Sequence, residues 1–238
     1  MNMLNQPGFK SFVVYVFSFI FLTLFTYLGI PFFFDYENNK SDLEKKIFET
    51  FGLNLDLTNE VKYNIFPSPR LNLKNVEILN FSESSNNIGS VEKVILKIPF
   101  KKLVNFQMLD FDSAELINAV INIENSEINN FKNYLDNKVH EKSIQLIKSK
   151  INLSNKENLL FSANIKKLRI SGKGLFSKLV LKGKIFDTKI KINYQNKKFD
   201  KNPVKNVAIN FPEIGLNLKK NIKNDKKNNE TTHGSARV

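Results

Sequence analysis

The chain contains no cysteine, and this absence excludes several kinds of chemistry. Disulfide bonds, cysteine-ligated metals and a thiol nucleophile are all ruled out. Histidine is nearly as scarce, because only His140 and His233 occur, and one or two histidines with scattered carboxylates make a poor metal site. We therefore expect neither a metal nor a cofactor.

Recognisable catalytic motifs are missing as well. The sequence has no Gly-x-Ser-x-Gly elbow, and residues 171–174 (SGKG) lack the spacing of a phosphate-binding loop. Asp110 and Asp112 flank Phe111, but surface carboxylates near a strand end explain this pair better than acid–base catalysis does. We interpret the chain as a protein that is not an enzyme.

Acidic residues are outnumbered, with 36 Lys and Arg against 23 Asp and Glu, for a net charge of +13. Such a balance favours anionic surfaces, whether lipid headgroups or nucleic acid. Arginine is rare, however (Arg70, Arg169 and Arg237), and no predicted helix concentrates the charge. We interpret the lysines as a solvated face and expect no nucleic-acid partner.

One long segment, 11–34, carries no charge and is dense in Phe, Val, Ile and Leu. About 20 such residues cross the ~30 Å hydrocarbon core of a bilayer, so the segment predicts a transmembrane helix. Its end is rich in phenylalanine rather than in the small residues of a cleavage site, which indicates an uncleaved anchor. Lys10 before it and Asp35 and Glu37 after it favour a cytoplasmic segment 1–10, with the bulk of the chain across the membrane.

A short amphipathic helix is predicted over 41–51. Residues 41–44 (SDLE) have the form of a capping box, and Gly52 supplies a stop. Four apolar residues then share one face: Leu43, Ile47, Phe48 and Phe51. That face could lie on the bilayer or cover a sheet, and the second fate is commoner.

From Leu53 onward apolar residues recur at every second position, which predicts strands. A hairpin is expected from 53–57 and 61–65, and a change of parity between Leu73 and Val76 indicates a β-bulge. Further strands are predicted around 94–98, 114–124, 161–170, 179–181, 190–194, 207–211 and 214–218. Residues 129–150 space more like one or two short helices, and the Lys/Asn-rich tail 219–238 is predicted to be disordered.

The predicted helices are too short to cover the apolar faces of so many strands. The predicted fold is therefore mainly β with minor α: a transmembrane helix, a short amphipathic helix and a curved antiparallel sheet over 35–218, with a subdivision near 126–158 left open. The sheet could be a closed sandwich or an open groove, and periodicity does not separate them. In a groove, the candidate lining residues are Val94, Leu96, Ile98, Ile190 and Ile192.

Two stretches, 63–80 (YNIFPSPRLNLKNVEILN) and 91–103 (VEKVILKIPFKKL), resemble the N-terminal region of the AsmA family. In that family a membrane span precedes a helix, a strand ending in a Pro-x-Pro corner, and a strand with an Asn/Asp-Val-x-Ile-x-Asn ending. The same order occurs here over about 10–125. Pro67, Pro69, Asn75 and Val76 are the motif residues, and we assign them structural roles, since the prolines fix a corner and deny amides to a ladder.

The resemblance implies a single-pass protein of a Gram-negative inner membrane, with its bulk in the periplasm and a part in outer-membrane biogenesis. Its implied partners are phospholipid, the inner-membrane bilayer and other envelope proteins. Two functions stay open: carriage of phospholipid in an apolar groove between membranes, and a scaffold or interaction domain that influences outer-membrane protein assembly. Family members usually run much longer, so a truncated fragment, a short member and a member needing partners all remain open.

Overall fold

A computed structural model describes residues 7–79, 87–128, 142–156, 158–173, 176–197, 204–224 and 230–237. Its strands form one twelve-stranded sheet that is curved and does not close on itself. The predicted class, mainly β with a small helical part, is confirmed. The bounds are β1 (Leu55–Asp56), β2 (Val61–Asn64), β3 (Arg70–Leu79), β4 (Asn87–Lys97), β5 (Ser113–Glu124), β6 (Ser143–Asn155), β7 (Asn158–Lys173), β8 (Phe176–Ile185), β9 (Thr188–Lys197), β10 (Val204–Phe211), β11 (Leu216–Asn224) and β12 (Glu230–Arg237).

From β3 to β12 the strands follow one another across the sheet in chain order. Neighbours are antiparallel except β5 and β6, which run parallel. β1 and β2 do not form the predicted hairpin with each other. Both pair with β3, β1 opposite Glu77 and Ile78 and β2 opposite 70–73, so they act as one interrupted edge strand.

Two α-helices precede the sheet. α1 (Pro7–Gly29) continues into a 3-10 turn at Ile30–Phe33, and the segment Ser11–Phe33 is long and apolar enough, by length and composition, to cross a membrane. α2 (Lys40–Phe51) ends where Gly52 adopts a left-handed conformation, φ +63°, and its N–H donates to the Phe48 carbonyl at 2.7 Å. Both predicted helices are therefore present.

The predicted capping box of α2 is wrong. Asn39 occupies the N-cap position without a side-chain cap bond, and the helix begins one residue before Ser41. Glu44 reaches away from the helix start, because its carboxylate accepts a hydrogen bond from the Leu57 N–H at 2.8 Å. The hydrogen bond from Leu57 therefore links α2 to the segment between β1 and β2, and it takes the place of the predicted capping bond within the helix.

A line of bulges crosses the sheet from β3 to β7. In each of these five strands the inward-facing positions change parity at the same level, across the pairs Leu73/Val76, Val91/Val94, Leu116/Ala119, Leu146/Ser149 and Ile165/Leu168. The bulge predicted in β3 is therefore present, and four neighbours share it. At this level the register is kept among the five strands because each carries the extra residue, and it shifts between β7 and β8, which lacks one. Two further shifts lie away from this line, at Ile78/Leu79 and at Leu153/Ser154.

Local chemistry supports this line of bulges. Asn75, Asn118 and Lys148 have left-handed φ values of 48°, 54° and 52°, a conformation that asparagine tolerates better than most residues. The Ser149 hydroxyl accepts from the Ala119 N–H at 3.1 Å and donates to a backbone carbonyl, which satisfies groups that the ladder leaves unpaired. Bulges increase the local right-handed twist, so a continuous line of them curls the sheet.

The helical prediction over 129–150 is wrong for its last part. Ile144 and Ile147 lie in β6, a strand held parallel to β5, while 129–141 falls outside the described residues. Backbone hydrogen bonds to β5 hold this segment as a strand, although the spacing of its apolar residues is typical of a helix. Since β5 and β6 pair along most of their length, the sheet runs unbroken through the subdivision considered near 126–158.

The C-terminal region also differs from the prediction. Disorder was expected from residue 219, yet β11 extends to Asn224 and β12 (Glu230–Arg237) pairs along it. The composition is polar there, but a ladder needs only backbone N–H and C=O groups, and the edge of β10 presents them. Packing contributes little to these strands, which are mostly exposed.

Candidate functional site

The inner face of the sheet is apolar, and its first half is covered. α2 contributes the fully buried Leu43, Ile47 and Phe51 to the same core as the inward residues of β1 to β7. The Phe51 ring stacks near the Phe111 ring, with centroids 6.4 Å apart. This half of the sheet has a conventional protein core.

The predicted groove residues fall mainly within this core. Val94 and Leu96 are 0% exposed and Ile98 is 3% exposed, so they have no free surface unless α2 moves. Ile190 is 4% exposed, and only Ile192 is half-buried. The structure thus separates the five candidates: three lie in the core that α2 shares, Ile190 is buried on β9, and Ile192 on the same strand is partly exposed.

Beyond β7, no helix within the described ranges lies over the inner face. Ile190 is the buried exception on β9, but nine other inward apolar residues of β8 to β11 are half-buried or exposed. We call these nine the open strip: Leu179, Leu181, Ile192, Tyr194, Val207, Ile209, Phe211, Leu216 and Leu218. One row of this strip is continuous, since register places Leu181 opposite Ile192, Ile192 opposite Ile209 and Ile209 opposite Leu218. At ~4.8 Å per strand, four side chains in a row cover about 14 Å. Of this strip, the sequence analysis names only Ile192 as a groove-lining candidate, although it predicts strands over the residues of β10 and β11.

A polar pair terminates the open strip. Ser177 and Asn196 lie directly opposite each other on β8 and β9 and are 7% and 1% exposed. The Ser177 Oγ and the Asn196 Oδ1 have no hydrogen-bond partner among the described residues. Both side chains are buried, so the pair marks a polar, closed end of the apolar strip.

The motif residues lie away from the open strip. Pro67 and Pro69 lie in the turn between β2 and β3, where the Pro69 carbonyl accepts from the Ile98 N–H at 2.9 Å. Asn75 is a bulge residue, and Val76, 1% exposed, is part of the core.

Asp110 also has a structural position, because Lys142 joins it at 2.9 Å and so ties the start of β6 to the chain before β5. Burial alone would raise the pKa of the Asp110 carboxyl, but the hydrogen bonds from Lys142 and the Phe111 N–H hold that pKa below its usual value. No group of three or more potential metal ligands occurs within the described ranges.

The outer face of the same strands is basic. A cavity of about 610 Å³ at the β7–β8 slip is lined by six lysines and five other residues: Lys148, Lys166, Lys182, Lys184, Lys189, Lys191, Ser149, Asn164, Ile165, Gly183 and Ile190. Glu213 pairs with Lys189 at 2.9 Å, and these lysine contacts hold the Glu213 pKa below its usual value. The two faces therefore differ sharply, with an apolar strip inside and lysines outside.

The chain is thus a mainly β protein with one N-terminal helix that could anchor it in a membrane and an open, curved sheet whose apolar face is half covered. Comparison with protein-family models and with curated proteins finds no match. The likeness to the AsmA family therefore rests on the residues quoted above.

Proposed function

We propose that this chain is an inner-membrane-anchored, AsmA-like protein that binds phospholipid on the open strip and contributes to outer-membrane biogenesis by carrying lipid between membranes. It acts by binding rather than by catalysis. The chain crosses the inner membrane once, with its N-terminus in the cytoplasm and its bulk in the periplasm.

One observation carries the proposal: an apolar strip that no described helix covers stands on a sheet that follows a helix long and apolar enough to cross a membrane. Four aliphatic side chains in register present a surface that suits an acyl chain, and burying it would gain roughly 25 cal/mol per Å². Because the anchor would hold the sheet next to a bilayer, lipid is the apolar ligand nearest to the strip.

A second function is favoured by the outer edge of the sheet. β12 is an exposed edge strand, and such edges accept a further strand from another chain. In this alternative the chain is a scaffold for outer-membrane protein assembly and pairs with an envelope protein through β12, without carrying lipid.

The two functions are separated by photocrosslinking in cells. A photoreactive amino acid replaces Ile192 or Phe211 on the inner face. Matched controls replace Lys191 or Asn193, the outward-facing neighbours of Ile192. A further variant at the buried Leu96 reports whether the core opens. Purified protein is then tested for attached phospholipid and for attached protein.

Lipid attached at Ile192 and Phe211, with none at the outward positions, is the expected result. Lipid at Leu96 as well would extend the groove under α2. Protein adducts without lipid at the inward positions would reject lipid carriage and favour the scaffold function.

A further inference from the structure

We infer that the loops at the anchor end of the sheet enter the membrane–water interface and form an apolar foot on which the domain stands. The foot consists of exposed apolar residues from the end of the anchor, the β2–β3 turn and the β4–β5 connection: Phe32, Phe33, Phe66, Phe100, Val104 and Met108. Its occupant is the bilayer that holds α1. The inference does not depend on lipid carriage by the open strip.

The first argument is that α1 is docked onto the domain. The Tyr27 hydroxyl donates to the Phe100 carbonyl at 2.5 Å, and the Tyr63 hydroxyl donates to the Leu28 carbonyl at 3.0 Å. The Phe32 ring packs edge-on against the Tyr63 ring, with centroids 4.9 Å apart. Burial raises the pKa of Tyr63 to about 12, so its phenol keeps the proton that this contact needs.

A second aromatic group fixes the chain just after the anchor. The Phe34 and Tyr36 rings each meet the Phe106 ring at a centroid distance of 6.0 Å. The Tyr36 hydroxyl also donates to the Pro31 carbonyl at 2.9 Å. The domain is therefore held against the end of α1 rather than hung from it by a linker.

Depth follows from these contacts. About 20 residues at 1.5 Å each cross the hydrocarbon core, and counted from Ser11 they end near Ile30. Tyr27 and Leu28 lie before that point, yet both contact the domain. The end of β2, which carries Tyr63, and the β4–β5 connection, which carries Phe100, must then lie at the membrane interface, the level at which tyrosine is enriched.

The surface of these loops fits that level. Phe33 is 91% exposed and Phe66 is 87% exposed, which is unusual for phenylalanine facing water. Lys101 and Lys102, both exposed, directly follow Phe100 and would lie beside anionic headgroups. An apolar patch with an adjoining basic pair has the composition of an interfacial membrane contact.

The absence of cysteine makes a direct test simple, because each Cys variant has a single thiol. The full chain is prepared with Phe66→Cys in one loop or Met108→Cys in the other, and each is labelled with the fluorophore NBD. Phe186→Cys is the matched control: it is 78% exposed and lies in the β8–β9 turn, at the opposite end of the strands. Each protein is reconstituted into vesicles of phosphatidylethanolamine and phosphatidylglycerol, and circular dichroism verifies its fold.

Quenching then locates each probe. We expect nitroxide-labelled acyl chains to quench the probes at 66 and 108 several-fold more than the probe at 186, and aqueous iodide to show the reverse order. Water exposure at either 66 or 108 would overturn the foot. Lipid contact at all three positions would overturn it too, since it would mean that the whole sheet lies flat on the bilayer.

Discussion

The cover that α2 places over the first half of the sheet should make a large, position-specific contribution to stability. Phe51 is 0% exposed and stacks near Phe111, so Phe51→Ala removes a complete buried ring. Such truncations cost about 3 to 5 kcal/mol, because the lost transfer energy and the cavity add together. Phe48 lies on the same helix but is 44% exposed, so Phe48→Ala should cost only about 1 kcal/mol.

Urea unfolding of the full chain in mild detergent, followed by far-ultraviolet circular dichroism, measures the difference. With a urea dependence of about 2 kcal/mol per molar, Phe51→Ala should lower the midpoint by about 1.5 to 2.5 M and Phe48→Ala by about 0.5 M. Equal shifts for the two variants would refute the conclusion that α2 covers the core. A near-zero shift for Phe51→Ala would mean that this half of the inner face is as open as the strip beyond it.

Three further outcomes are expected. Gly89→Ala should lower the unfolding free energy by about 1 to 3 kcal/mol, since its new Cβ would lie 2.1 Å from a neighbouring strand's carbonyl, whereas Gly234→Ala, with 3.5 Å of space, should change little. The lowered pKa of Asp110 means that its ion pair with Lys142 stabilises the fold above the usual carboxyl pKa of 3.8 and is lost as pH falls below that value. Asp110→Asn should therefore make the unfolding midpoint depend less steeply on pH between about pH 5 and pH 3. The same pH dependence in the variant and the unchanged protein would contradict this role of the ion pair. Tyr63→Phe should loosen the anchor junction, so a spin label in the β2–β3 turn should gain mobility relative to one in the β8–β9 turn, and equal mobility would argue against docking.

The N-terminal apolar helix, α2 and most strands could be predicted because each is a local pattern. An uncharged apolar run, a helical face ended by Gly52, and alternation of period two are properties of neighbouring residues. Even the bulge between Leu73 and Val76 could be recognised, since it changes which residues face inward within one strand.

The predictions that were wrong concern segments whose structure depends on contacts with residues distant in sequence. The helix predicted around Ile144 and Ile147 is a strand because β5 provides a parallel ladder, and the Lys/Asn-rich end becomes β11 and β12 because the edge of β10 is available. Glu44 has the sequence position of a capping residue, but its carboxylate accepts a hydrogen bond from the Leu57 amide instead of capping α2.

The candidate site shows the same division. Alternation by itself determined that Leu96 and Ile192 both face the apolar side of a sheet, and the two are alike in sequence. Only the tertiary structure decided that Leu96 is buried in the core that α2 shares while Ile192 belongs to the open strip. The physical reason is that periodicity sets the side of a strand on which a residue lies, whereas burial depends on what else in the folded chain reaches that side.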